Sequence, residues 1–439
     1  MDGGRALRPR RSNPQSSQEK AMNIPPTMQA VRLHGLGFEN LKVEQIPVPV
    51  PTENQLLARV DAAGVCASNL KILAQGNEHT FINGMDLKKY PAQLGDEGCI
   101  TIAAAGKNIR DRFPVGKRYC IQPAVDHPPI NHRERFRNSA EGMQKVAVGY
   151  CLPGHFAQYI LVTEETIAAD CLLPIPDEGM SFFAAALCEP ISCAISGQDR
   201  HIHIFQKTPG SPRESRLGLL PGGVTLIVGA GPMGRMHAEA ALRFKPRCVI
   251  VIDIAEARLQ WVRDVLSVRA KSVGVEMHAL TNEAGLELMN GLSHGRGADD
   301  IIVAVGVRAL QIQAQAWLAR GGTLNLFGGL KKGEHIIDLD TLRVHYDDIR
   351  VVGSSGGSPA DIAETLRMVA AGECDPGLHM TMVGSLDQVP RALEMVKNTE
   401  TEGKIVLYPH IRPTALVSAK HWKLSDEQAF LKQHPPWKT

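Results

Sequence analysis

Two groups of residues in this chain have the types and spacing to do chemistry. The first is Gly229-Ala-Gly-Pro-Met-Gly234, which follows the apolar run 224–228 and precedes a helix-forming stretch. In that setting Gly229 permits a tight turn, Gly231 lets backbone approach a diphosphate, and Gly234 lets the helix pack on the strand. Pro232 and Met233 open the helix, whose free N–H groups and positive dipole end face the anion. Asp253 ends the next apolar run, 19 residues after Gly234. A carboxylate there accepts hydrogen bonds from the adenosine ribose hydroxyls and repels a 2′-phosphate, so NAD(H) is expected over NADP(H). Arg258, one helical turn on, weighs the other way. The plain alternative is a glycine-rich turn followed by a surface Asp.

The second group precedes the first. Cys66, the adjacent Asp96 and Glu97, and Glu189 in Leu187-Cys-Glu-Pro190 could converge on one ion. A thiolate with carboxylates is an acceptable zinc set, and a catalytic zinc keeps one position open. By spacing alone, Cys66 also reads as a small core residue and Asp96-Glu97 as a solvated pair.

These residues need two kinds of scaffold. Residues 28–33, 55–60, 98–105, 117–121 and 156–162 read as strands in a β-rich, Gly- and Pro-punctuated first part. From 224 onward, strand and helix patterns alternate, with strands expected at 224–228, 248–252, 300–305, 323–327 and 349–352. Such alternation predicts a doubly wound α/β sheet of Rossmann type. The polar, basic segment 127–148 and the stretch 199–222 look like insertions. Residues 1–27, with Arg5, Arg8, Arg10 and Arg11 but no apolar core, read as a disordered extension. Residues 412–439 read as a tail without an evident partner.

The composition bounds the rest. A chain of 439 residues is too long for one ordinary core. A net charge of +2 with scattered basic residues gives no field for nucleic acid or membrane. No apolar run approaches the length of a membrane span. Nine spread cysteines without a CxxC pair predict reduced thiols, and a cytoplasmic location is expected.

The order of motifs resembles the medium-chain dehydrogenase/reductase family, the zinc alcohol and polyol dehydrogenases. Gly64-Val-Cys-Ala-Ser-Asn69 is similar to that family's Gly-(Ile/Val)-Cys-Gly-Ser-Asp, and Gly95-Asp-Glu-Gly98 to its Gly-His-Glu-Gly. Glu189-Pro190 is similar to the Glu-Pro of the polyol branch. Gly154-His-Phe-Ala-Gln-Tyr159 and Gly403-Lys-Ile-Val406 resemble two further family strings. Within the family, strings such as Ile121-Gln-Pro-Ala124 and Val351-Val-Gly-Ser-Ser-Gly-Gly357 look closest to bacterial L-sorbose-1-phosphate reductases.

The resemblance implies a GroES-like catalytic domain (28–191 and 345–411) split around a Rossmann domain (192–344). It implies an NAD(H)-dependent oxidoreductase acting on a polyol, ketose or sugar phosphate, with one catalytic zinc held by Cys66, Glu97 and Asp96, and with Glu189 as a fourth ligand or as the holder of the metal-bound water. It further implies a homodimer or homotetramer. Ser68 falls where the family carries a proton-relay hydroxyl. Lys71 falls where many members place a relay His, and it could carry protons, hold an anionic substrate or stay a solvated amine.

Two departures stand out. The family's His ligand is Asp96 here, which makes the site more negative. The four closely spaced cysteines of the structural zinc lobe are missing, so no structural zinc is expected. The basic segment 127–137 takes their place, as a phosphate-binding or a solvated loop. Two competitors remain: a metal-free reductase, and a member that binds NAD(H) without turnover.

Overall fold

The computed structural model describes residues 23–126, 128–176, 179–331 and 333–436. Most of the disordered extension expected at 1–27, together with His127 and Trp437, lies outside these residues; Thr27 already begins a strand.

Two sheets organise the chain. The first gathers short, punctuated strands from both ends of the sequence. Its order is Leu172–Pro174, Arg118–Ile121, Glu97–Ala105, Leu56–Gly64, Lys404–Tyr408, Met380–Ser385 and Val417–Ser418, with Tyr159–Val162 also paired to Leu56–Gly64. The joint between the two chain ends is antiparallel, with Gly64 opposite Val406 and Ala63 opposite Leu407. The catalytic lobe is therefore split in sequence and continuous in space. Its core includes Leu56, Val60, Ile100, Ile102, Phe156 and Ile405.

The second sheet is parallel throughout and has six strands. In space they run Glu276–Leu280, Cys248–Ile252, Val224–Val228, Ala298–Val303, Leu318–Asn325 and Arg350–Val352, that is, third, second, first, fourth, fifth and sixth in chain order. This is the Rossmann order, with the crevice at the reversal between first and fourth strands. The two central strands are buried on both faces, as their unbroken apolar runs require. The sixth strand lies beyond residue 344, so the sheet runs past the end expected for the dinucleotide domain. The helical stretch expected after Asp253 is Glu256–Trp261 and Ser267–Ser272 joined by a π-helical turn, Val262–Leu266.

Helix Phe182–Asp199 joins the lobes. It packs on the strands of the catalytic sheet and on the helix Pro232–Ala241 of the Rossmann part. The insertion-like stretch after Asp199 is an exposed hairpin, Ile202–Phe205 with Glu214–Leu217. The tail is folded: Val417–Ser418 extends the catalytic sheet, and helix Leu424–Gln433 seats Phe430 in the core. Among the described residues, no helix is long and apolar enough to cross a membrane.

Candidate active site

Three strand ends meet at one edge of the catalytic sheet. Glu97 opens its strand directly opposite Gly64, the last residue of the neighbouring strand. Cys66 follows two residues later, and Lys404 opens the strand on the other side. The approach is so close that a Cβ on Gly64 would lie 2.1 Å from Glu97 Oε2. Lys404 Nζ donates to Val65 O at 3.0 Å and pairs with Glu97 Oε1. Glu97 Oε2 is buried with no partner.

Asp96, one residue earlier, is held on both oxygens. The Ser68 hydroxyl donates to Oδ2 at 2.7 Å, and Asn69 Nδ2 donates to Oδ1 at 3.1 Å. Asn69 also accepts from Gly95 N and donates to Cys66 O, so one carboxamide knits the cysteine turn to the acidic turn. An Asp at 69, as in the family string, would set two carboxylates against each other. The exchanges at 69 and 96 are thus complementary.

Glu189 reaches the same place from mid-helix. It is buried, and Cys193, one turn on, places its thiol 3.4 Å from Oε1. Burial, reinforced by the charges of Asp96 and Glu97, pushes the Glu189 carboxyl well above the usual range. The Cys66 thiol is pushed up by burial and by Asp96 and Glu97. Glu97 is also raised by burial, against the pull of Lys404. Among the described residues, three buried carboxylates and a thiol thus gather around one ammonium, that of Lys404. Buried charge needs a counter-charge, and the cluster lacks positive charge in the amount a divalent cation supplies.

The spacing is wider than the charge. Among the described residues, the group with three ligand atoms within 4.8 Å of one another is Cys248, Glu276 and His278 on two Rossmann strands, away from this edge. The four expected ligands share the neighbourhood without meeting that spacing.

Tyr150 belongs to the site, and no motif or spacing in the sequence points to it. It is buried, and its hydroxyl lies close to Ser68. Burial and the charges of Asp96 and Cys66 hold its pKa far above normal. Its ring packs on Phe81 and His79, with centroids 5.3 Å away in both cases. Lys71 lies on the helix Ser68–Gln75 and points across the cleft: a Cβ on Gly329, beyond the fifth Rossmann strand, would lie 3.2 Å from its Nζ.

The glycine turn lies at the reversal of strand order. Gly229 has φ +107°, and a Cβ there would meet Val305 at 2.5 Å. A Cβ on Gly234 would lie 1.8 Å from Gly229 O, whereas one on Gly231 meets nothing nearer than Arg258 at 4.0 Å. The turn is closed where the helix packs and open where a diphosphate would sit. Pro232 starts the helix Pro232–Ala241, and Met233 packs towards the helix that carries Glu189. Asp253 accepts from Ala230 N at 2.7 Å and Ala255 N at 2.8 Å, with Arg258 at 3.9 Å.

In the basic segment, Arg137 forks onto both Glu78 oxygens at 2.7 Å, and Arg135 stacks 5.0 Å above Tyr90. These two arginines have partners within the protein.

Residues 52–177 match the alcohol dehydrogenase GroES-like domain, and residues 221–371 the zinc-binding dehydrogenase family. The L-sorbose 1-phosphate reductase of Klebsiella pneumoniae is 30% identical over 79% of this chain and 79% of its own. The mannitol-1-phosphate 5-dehydrogenase of Aliivibrio fischeri is 29% identical over 85% of each chain. Among solved structures, the 2R,3R-butanediol dehydrogenase of Bacillus subtilis superposes with a TM-score of 0.68 at 19% identity, covering 87% of this chain and 99% of that one. The chain belongs to the zinc-type medium-chain dehydrogenase family and is an alcohol/polyol oxidoreductase that uses a nicotinamide cofactor.

Proposed function

We propose that the protein interconverts a secondary alcohol and a ketone on a polyol, ketose or sugar phosphate, with NAD(H) rather than NADP(H) and one catalytic zinc. The observation that carries this is the cluster of the buried Asp96, Glu97 and Glu189 with the Cys66 thiol, in which Lys404 is the ammonium paired to a carboxylate among the described residues. When bound, zinc would supply Lewis acidity and a nicotinamide cofactor would supply hydride exchange.

The chain's own residues hold and orient. Cys66, Asp96, Glu189 and the free Oε2 of Glu97 would hold the ion, while Lys404 anchors the other Glu97 oxygen. Ser68, bonded to Asp96 and close to the Tyr150 hydroxyl, stands to receive the substrate hydroxyl proton and pass it outward. Gly229, Gly231, Pro232, Met233 and Gly234 would cradle the cofactor's diphosphate. Asp253 would accept from the adenosine ribose hydroxyls, and its charge supports NAD(H). No structural zinc is included, because the sequence between Cys120 and Cys151 holds no cysteine to ligate one. We infer a homodimer or homotetramer from the exposed Ile336, Leu342 and Tyr346, which lie close together in the sequence.

Metal analysis of protein purified without chelator tests the reading. About one equivalent of zinc is expected, with chelator abolishing reduction of ketoses or oxidation of polyols as followed by nicotinamide absorbance. A content far below one, with activity indifferent to chelator, overturns it in favour of a metal-free reductase. Tight NADH binding without turnover of any polyol or sugar phosphate favours a non-catalytic member.

A further inference from the structure

The cleft contains a cation that the chemistry at Cys66 leaves unused. Lys71 lies three residues after Ser68 on one helix, so the two side chains share a face, with Cβ atoms about 5–6 Å apart. Its ammonium is exposed and has no ion pair among the described residues. It faces Gly329 on the opposite wall, so any ligand spanning the two lobes passes it.

His79 stands beside it. Its Nδ1 accepts from Phe81 N at 3.2 Å, which leaves the other ring nitrogen as the donor. Its ring is half-buried against Tyr150, whose hydroxyl lies close to Ser68. Burial and the charge on Lys71 lower its pKa, so it is a neutral donor at pH 7. A continuous wall thus runs outward from Asp96 through Ser68 and Tyr150 to His79 and Lys71. Its inner end is acidic and its outer end cationic. A doubly charged ester would be repelled at the inner end and held at the outer one, which orients a chain molecule with one phosphorylated terminus.

We propose that Lys71 and His79 form the subsite for a terminal phosphate monoester, which commits the cleft to phosphorylated polyols or ketoses. This rests on the polyol oxidoreductase reading and narrows its substrate class. Lysine serves as a point charge for phosphate, and the imidazole N–H adds a directed bond.

The test uses the full chain loaded with NAD(H). Binding of a hexitol and of its terminal phosphate is measured by calorimetry, and turnover is measured with a ketohexose and its 1-phosphate. The phosphate ester is expected to be favoured at least about tenfold. Lys71→Met is expected to lower that preference about 10- to 100-fold, the range for a charge-assisted hydrogen bond. Lys71→Arg retains most of the preference, and His79→Gln loses a smaller part.

Equal affinity for ester and free polyol in the unaltered protein overturns the subsite. So does an equal loss on both compounds in Lys71→Met, which marks a proton carrier instead. If the ester binds preferentially through Lys71 but neither sugar exchanges hydride, the subsite stands and the oxidoreductase reading falls. If free polyols react and the ester has no advantage, the reverse holds.

Discussion

Asn69 and Asp96 act as a pair. A carboxamide can donate to the acid that stands where relatives of this type carry histidine, and an Asp could not. Asn69→Asp is therefore expected to lose bound metal and activity, because it removes the donor that holds Asp96 Oδ1 and sets a second carboxylate against it, so that Asp96 turns away or takes up a proton. Asn69→Asp combined with Asp96→His, which restores the family pattern, is expected to recover metal. Metal content and thermal unfolding of the three proteins check this, and a double variant no better than the single one would disprove the pairing. At the other site, Gly234→Ala forces a Cβ to 1.8 Å from Gly229 O. Overpacking of this kind costs about 1–3 kcal/mol, so NADH affinity should fall about 10- to 100-fold in a fluorescence titration.

At the scale of elements, helix Phe182–Asp199 carries Glu189, and its N-terminus is held by the tail. Glu427 accepts from Phe182 N and Phe183 N, both at 2.9 Å, and from the Tyr408 hydroxyl at 2.9 Å. Glu427→Ala leaves two helix N–H groups and a buried hydroxyl unmatched. A loss of about 2–4 kcal/mol in denaturant unfolding is expected, and an unchanged midpoint would refute the capping role. Nothing in the sequence links residues 427 and 182, and the tail reads as partnerless for that reason. The central Rossmann strands are legible because burial on both faces makes them continuous apolar runs. The edge strand Glu276–Leu280 is not, because its half-exposed positions hold Glu276 and His278 and break the run. Cys66, Asp96, Glu97 and Glu189 stand out through motif resemblance. Lys404 stands out only as part of a string, and Tyr150 not at all, because their roles arise from sheet pairing and from packing across the inserted loop.

For the whole molecule, a second buried polar cluster governs acid tolerance. His201 and His203 both bond to Asp300 Oδ1, at 2.6 and 2.9 Å, and Leu220 N donates to Oδ2. Burial alone would raise the Asp300 carboxyl, but the two histidine bonds outweigh it and hold it at about 2. A carboxyl lowered in the folded state contributes stability above its unfolded value, near 4, and loses it as pH falls toward 2. The contribution is about 2 kcal/mol. Between pH 4 and 2.5 the Tm of Asp300→Asn should therefore fall less steeply than that of the unaltered protein. Parallel curves would exclude the linkage.

The antiparallel joint between Leu56–Gly64 and Lys404–Tyr408 also bears on biosynthesis. Glu97 and its ammonium partner are separated by 307 positions, so a chain emerging from the ribosome holds this carboxylate without its counter-ion until residue 404 has emerged. The Rossmann strands, by contrast, are contiguous in sequence and can pair as soon as they emerge. The topology keeps the Rossmann strands in one stretch of chain, whereas the pocket around Glu97 closes only once Lys404 is present; a nascent chain released before residue 404 leaves the strand Leu56–Gly64 without its Lys404–Tyr408 neighbour and Glu97 without its ammonium.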